Sequence, residues 1–304
     1  MFGDVDVSII IVNYNTNDLV IQCINSVLLH TKNIEYEIIV VDNNSPDRKI
    51  ERLNEIFPNV KLILNNSNSG FGAANNLGAR FACGKYIFLL NSDTLLIDNS
   101  IKILYEFIRQ NSESVGACGG NLCDENLKPG TSFSRYMPSI LLDIDSLFFN
   151  SISKIINKGD IFYSRAESPF KILGNISGAD LMLSKKIFDE LGGFDESFFM
   201  YYEETDLLFR LRKKGYQTYI VPKSKIIHLE GASEEFKPVK WDWSYESKQK
   251  YYRKNKSNFE LKLSDVIFKI IIIQRLLIFK LFHDNEKYNY WLSLKKWSKT
   301  KKNT

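Results

Sequence analysis

The chain has 304 residues, of which 44% are hydrophobic and 25% charged, enough for a substantial core and unlike a disordered or fibrous protein. Its four cysteines, Cys23, Cys83, Cys118 and Cys123, form no CxxC pair, which excludes a disulfide scaffold, a zinc ribbon and a thioredoxin-type site. The net charge of +4 divides into a tail from Leu261 onward at +7 and a remainder at −3, a pattern that argues against nucleic-acid binding by the body.

Met1 to Asp6 carry two acids and no base before a six-residue apolar run, Val7–Val12. That is not a secretion signal, and a reduced cytoplasmic compartment is expected. Val7–Val12 is a continuous β-branched run, as a strand buried on both faces should be. Thr16 or Asn17 can cap the next helix, whose apolar stripe runs from Leu19 to Leu28. Glu37–Val41 is a strand ending at Asp42, and Val60–Leu64 is a third. Phe71–Ala82 reads as helix, and Tyr86–Leu90 as a strand emptying into Asn91-Ser92-Asp93. Alternating strands and helices over the first hundred residues describe a parallel α/β sheet. Ligands of such sheets lie beyond the strands' carboxyl ends, here Asn13-Tyr14-Asn15, Asp42-Asn43-Asn44 and Asn91-Ser92-Asp93.

Residues 121–174 show no clear period and read as a loop over the site. Asn175–Leu183 reads as a strand and Lys185–Leu191 as a helix closed by Gly192-Gly193. Glu203–Lys214 is a further helix, followed by two short strands at Tyr219–Val221 and Ile226–Ile227. A boundary near Ser233–Trp241 divides the chain into a body, 1–233, and a basic helical extension, 234–304.

Gly70-Phe71-Gly72-Ala73-Ala74-Asn75 imitates a dinucleotide fingerprint, but Asn75 replaces its third glycine and it follows the third strand rather than the first. Nicotinamide chemistry is therefore disfavoured. Asp93, past a strand end, can hold a divalent cation that binds diphosphate oxygens. The run Tyr201-Tyr202-Glu203-Glu204-Thr205-Asp206 opens a helix. The helix dipole accounts for the acids but not for the tyrosines before them; aromatic walls around carboxylates suit a perturbed pKa. His228 lies past another strand end, where a metal-ligand role stands beside a structural one.

Taken in order, these segments resemble the inverting family-two glycosyltransferases with the GT-A fold, in particular their rhamnosyltransferase-like branch. The matching pieces are Val7–Thr16, Ile39–Pro46, Asn68–Arg80, Tyr86–Thr94, Ser177–Leu183, Leu191–Leu211 and His228. The resemblance implies a Rossmann-like, mostly parallel sheet flanked by helices, with a C-terminal helical extension. It implies transfer of a sugar, rhamnose included, from a nucleoside-diphosphate donor to a saccharide or polyprenyl-linked acceptor in cell-surface polysaccharide synthesis. By the same resemblance Asn13, Tyr14 and Asn15 line the nucleotide, Asp42 bonds its pyrimidine, and Asn75 and Asn76 face the donor. Asn91-Ser92-Asp93 stands at the metal-binding DxD motif with Asn91 in place of the first acid. Asp93 and His228 then hold Mg²⁺ or Mn²⁺. Glu204 takes the place of the general base, one methylene longer than the family's Asp, with Glu203 as a neighbour able to substitute for it. Two rival readings stay open: a non-catalytic sugar-nucleotide-binding partner in an assembly complex, and a nucleotidyltransferase on a similar sheet.

Val266–Phe282 is apolar apart from Lys269, Gln274, Arg275 and Lys280, too charged for a membrane span. Lysines from Lys287 to Lys302 alternate with Tyr288, Tyr290, Trp291 and Trp297. The tail is expected to dock peripherally on the anionic inner face of the membrane, against the alternative of a helix packed on the body or on a second subunit of a homo-oligomer.

Overall fold

The computed structural model describes residues 5–157, 162–229 and 237–300. They belong to two compact units, one within Met1–Met137 and Ile161–Lys237, the other within Pro138–Asp160 and Pro238–Thr304. The boundary read at 233–241 and the lysines after Trp297 fall partly outside the described residues.

The first unit opens with β1 (Val7–Asn13), α1 (Asn17–His30), β2 (Tyr36–Asp42), α2 (Leu53–Ile56), β3 (Lys61–Leu64), α3 (Phe71–Arg80) and β4 (Tyr86–Asn91). β5 (Thr94–Leu96), α4 (Ser100–Gln110) and β6 (Val115–Cys123) follow. Next come α5 (Ile140–Leu147) and α6 (Ser151–Ile156), which belong to the second unit. The chain returns through β7 (Phe170–Ile172), β8 (Asp180–Ser184), α7 (Lys185–Glu190), α8 (Glu203–Lys213) and β9 (Gln217–His228). It ends in α9 (Lys237–Asn255), α10 (Asn258–Leu281) and α11 (Asn285–Thr300).

The sheet order is β3-β2-β1-β4-β8-β6-β9-β5, with β7 on β9. β1, β2, β3 and β4 pair in parallel, as their β-branched runs and crossover helices require. The remainder is mixed rather than mostly parallel: β8 runs antiparallel to β4 and β6, and β9 is antiparallel to β5 and β7 but parallel to β6. Ile9 and Ile11 face α1 and α4 residues such as Ile24 and Leu104, while Ile10, Ile39 and Leu89 face Ala74, Leu207 and Leu208. Each such fully buried aliphatic side chain contributes about 1.5–3 kcal/mol. Two packed faces leave the strand ends as the place for chemistry.

Several local readings need correction. Residues 121–174 contain two helices as well as loop. The strand expected from Asn175 starts at Asp180, and the two short strands near the end are one, β9, running through Pro222. A register shift between β6 and β9 at Gly119/Asn121 accommodates that proline. Thr16 holds the N-cap position of α1 without a capping bond, because its hydroxyl donates to Asn13 Oδ1 at 2.8 Å.

In the second unit, the Asp143 carboxylate on α5 accepts from Lys248, Tyr252 and Ser264, joining α5 to α9 and α10. Ser257 and Glu260 form a capping box that starts α10. Ile272, Leu276 and Leu294 make a small core on which Tyr288, Trp291 and Trp297 pack. These aromatics, read from sequence as headgroup-facing, are half-buried against this core, whereas Tyr290 is exposed. Among the described residues no helix is long and apolar enough to cross a membrane.

Candidate active site

Parallel pairing aligns Asn13 with Asp42 and sets Val12 beside Asn91, so three strand ends open side by side. Asn13 organises the first cluster. Its amide nitrogen donates to Asp42 Oδ1 at 2.7 Å and Ser45 Oγ at 3.1 Å, and its oxygen accepts from Thr16. Ser45 closes the ring, donating to Asp42 from both its hydroxyl and its amide. Thr16 Oγ1 lies 3.0 Å from Ser92 Oγ, tying this cluster to the end of β4. Asp42 thus already accepts three hydrogen bonds from within the chain. Tyr14 is exposed, and Asn15 is exposed in the left-handed region at φ 56°, so these two face solvent at the mouth.

The second cluster comes from β5 pairing with β9, which sets Thr94 opposite His228. Asp93 and His228, far apart in sequence, meet with Oδ1 3.3 Å from Nε2. Both are largely buried, and the Asp93 carbonyl accepts from Leu229 at 2.9 Å. Among the described residues no group of three or more His, Cys, Asp or Glu is arranged to hold a metal. A carboxylate and an imidazole side by side still fit a divalent cation that takes its remaining ligands from water and a diphosphate.

Sequence reasoning missed Asp180, one strand over. It is fully buried opposite Leu90, and its Oδ2 accepts from the Gly120 amide at 2.6 Å. Burial pushes its carboxyl up to about 7, against the opposing pull of that amide and of the His228 charge. The available signal was an acid inside the apolar run of Ser177–Leu183.

The third cluster is at the N-terminus of α8. Tyr201 and Tyr202 are both left-handed, at φ 66° and 67°, a conformation costing about 1–2 kcal/mol per non-glycine residue. This turn aims Glu203 and Glu204 differently. Glu203 is 3% exposed, and its Oε2 has no hydrogen-bond partner among the described residues. Burial raises its pKa well above the usual glutamate value, the Glu204 charge adds to the rise, and the Tyr201 and Glu203 amides oppose it. Glu204 is half-buried and accepts from Asn175 Nδ2 at 3.3 Å and Thr205 Oγ1 at 3.4 Å. Burial raises its pKa as well, while these bonds favour its charged form. Asn175 is a second residue sequence reasoning missed. Asp206 belongs to the scaffold: it pairs with Arg210 at 2.7 Å, and Arg210 reaches the Leu191 and Gly193 carbonyls.

The glycine-rich segment joins the first and third clusters. Gly70, at φ 87°, packs so closely that a Cβ would lie 2.1 Å from the Phe199 carbonyl oxygen. Asn76 clamps the loop before α8, bonding the Phe194 carbonyl, the Phe194 amide and Glu196 Oε1. Asn75 is buried and donates to the Phe71 carbonyl at 3.0 Å. Asn76 is thus held in the fold by three bonds, and the donor-facing role expected of Asn75 and Asn76 stays a proposal.

The sequence profile described as "Glycosyl transferase family 2" matches residues 8–192, which carry the first cluster, Asp93 and β8. The chain belongs to glycosyl transferase family 2. This glycosyltransferase is 25% identical over 274 residues to the dTDP-rhamnosyl transferase RfbF of Shigella flexneri, covering 86% of this chain and 85% of the relative. It is 28% identical over 204 residues to the N-acetylglucosaminyl-diphospho-decaprenol L-rhamnosyltransferase of Mycobacterium tuberculosis, covering 63% and 66%. Its fold is similar to that of GalNAc-T7, solved with UDP, GalNAc and Mn²⁺, with a TM-score of 0.56 at 16% identity over 76% of this chain and 45% of the other. The glycosyltransferase is an enzyme of GT-A-like α/β architecture, as the sequence resemblance implied.

Proposed function

We propose that the enzyme transfers a sugar with inversion from a nucleoside-diphosphate donor to a saccharide or lipid-linked saccharide in cell-surface polysaccharide synthesis. dTDP-rhamnose is the first donor to test, because the relative from Shigella is named for that substrate class. The observation that carries the reading is the contrast between Glu203 and Glu204. Two adjacent carboxylates with environments that push them apart are the pattern of an assigned acid–base pair. Glu203, buried with an unbonded oxygen, stays protonated; Glu204, bonded by Asn175 and Thr205, ionises and works as the base.

In that role Glu204 takes the proton of the acceptor hydroxyl, the acceptor oxygen bonds to the anomeric carbon, and the bond to the diphosphate breaks on the opposite face. Asp93 and His228 are the residues that would hold Mg²⁺ or Mn²⁺, which supplies charge neutralisation on the departing diphosphate. Tyr14 and Asn15 at the mouth are the side chains best exposed to receive the nucleotide. The second unit would dock on the inner face of the cell membrane, where a lipid-linked acceptor is met. Supporting this, Val266, Ile270, Ile273, Leu277 and Leu281 recur at helical spacing along α10, all exposed.

The test is transfer from dTDP-rhamnose to a lipid-linked saccharide, with the product's anomeric configuration read by NMR and the reaction repeated in chelator. Inverted product that needs the metal is the expected result. Donor binding without transfer or hydrolysis under any acceptor would favour the non-catalytic reading.

A further inference from the structure

The second unit holds a cavity of about 490 Å³ whose lining includes Asp143, Phe149, Lys154, Lys248, Arg275 and Trp291. This volume falls within the range of ligand pockets. Arg275 is 6% exposed, stacked 3.3 Å from the centroid of the Phe149 ring, and donates to the Ser146 carbonyl and to Gln274 Oε1. All of these partners are neutral, and among the described residues no carboxylate pairs with this guanidinium. A buried charge without a counter-charge is costly, so the cavity is built for an anion. Lys154, exposed at the same cavity, donates to the neutral Phe149 carbonyl at 3.2 Å and adds a second cation, whereas the charges of Lys248 and Asp143 cancel in a pair at 2.7 Å.

The surroundings say what carries the anion. Among the described residues, 15 of the 24 exposed large hydrophobic side chains belong to this unit, among them Phe148, Ile152, Ile155 and the stripe on α10. A planar guanidinium beside a lysine suits phosphate oxygens, and an apolar rim suits acyl chains. We propose that this cavity binds the phosphate group of an anionic membrane lipid. The proposal rests on the membrane reading above and adds to it a defined headgroup site, separate from general attraction of the basic tail.

The experiment uses the full chain in flotation with phosphatidylcholine vesicles, with and without phosphatidylglycerol. Arg275→Gln should weaken binding to the anionic vesicles by about tenfold or more, because it removes charge-assisted bonds. Lys154→Gln, an exposed change that leaves the fold intact, should do likewise if Arg275→Gln unfolds. Lys280→Gln, on α10 outside the cavity, should cost about fivefold or less. In parallel, glycerol phosphate should raise the melting temperature of the wild type but not of Arg275→Gln. Equal losses in all three variants would overturn the headgroup site while leaving membrane docking intact. A melting response that needs Arg275 without any vesicle binding would overturn the lipid source and leave a site for soluble phosphate. Concentration-dependent self-association that Leu277→Glu abolishes, with no vesicle binding, would assign the stripe to a second copy and overturn the proposal.

Discussion

Asp42 and Glu203 are both carboxylates almost removed from solvent, yet the fold treats them in opposite ways. Asp42, at the end of β2, accepts from Asn13 and twice from Ser45. Glu203, at the start of α8, keeps one oxygen unbonded, lies beside a second glutamate and follows two left-handed tyrosines. The difference sets a carboxylate satisfied within the fold apart from one that is not. Satisfied buried polar groups fix the strand ends, whereas unsatisfied and strained ones store the perturbed protonation that chemistry uses.

The largest expected effect falls on the cluster that the reaction loads. Asp93→Ala should lower kcat/KM by about 10³-fold, the several kcal/mol that charge stabilisation on the diphosphate supplies. Steady-state transfer at saturating Mg²⁺ checks it, and a near-normal rate would remove Asp93 from the donor site. Next comes stability at the scaffold. Asp42→Ala removes one hydrogen bond from the Asn13 amide and two from Ser45, and should cost about 2–4 kcal/mol in urea unfolding.

Glu203→Gln should have the reverse sign. Its folded-state pKa is raised, so the wild type is penalised as pH climbs above the ordinary glutamate range, and is not penalised below it. The variant should therefore be more stable than wild type to urea at neutral pH, by about 1–2 kcal/mol, with the gap closing in acid. A variant less stable at neutral pH would mean that Glu203 is ionised and bonded. The smallest effect belongs to Asn175→Ala, which removes a bond favouring ionised Glu204. The acid limb of the pH–rate profile, already above the usual glutamate value, should move further up by less than about one unit.

The two regions were unequally legible in the sequence. β1, β2 and β4 are continuous β-branched or aromatic runs whose local preference agrees with their place in a parallel sheet, so Asn13, Asp42 and Asp93 could be set at strand ends directly. β6 has the sequence VGACGGNLC, whose three glycines weaken any strand pattern; pairing with β8 and β9 makes it a strand. β9 carries Pro222, and only a register shift against β6 keeps it whole. The Asp93–His228 meeting depends on the three-residue β5, too short to show a period. Asn175 lies distant in sequence from Glu204, and the left-handed tyrosines break no visible rule, since their strain is imposed by packing. The glutamates were legible as a pair, but their separate roles required the fold.

The central claim is that Glu204 is the working base and Glu203 its protonated neighbour. Single-turnover transfer, measured side by side for Glu204→Gln and Glu203→Gln with donor affinity determined for each, tests it most directly. Glu204→Gln should be slower by about 10²-fold or more with donor affinity kept, and Glu203→Gln should stay within about tenfold of wild type. Near wild-type turnover in Glu204→Gln, with turnover lost in Glu203→Gln, would contradict it.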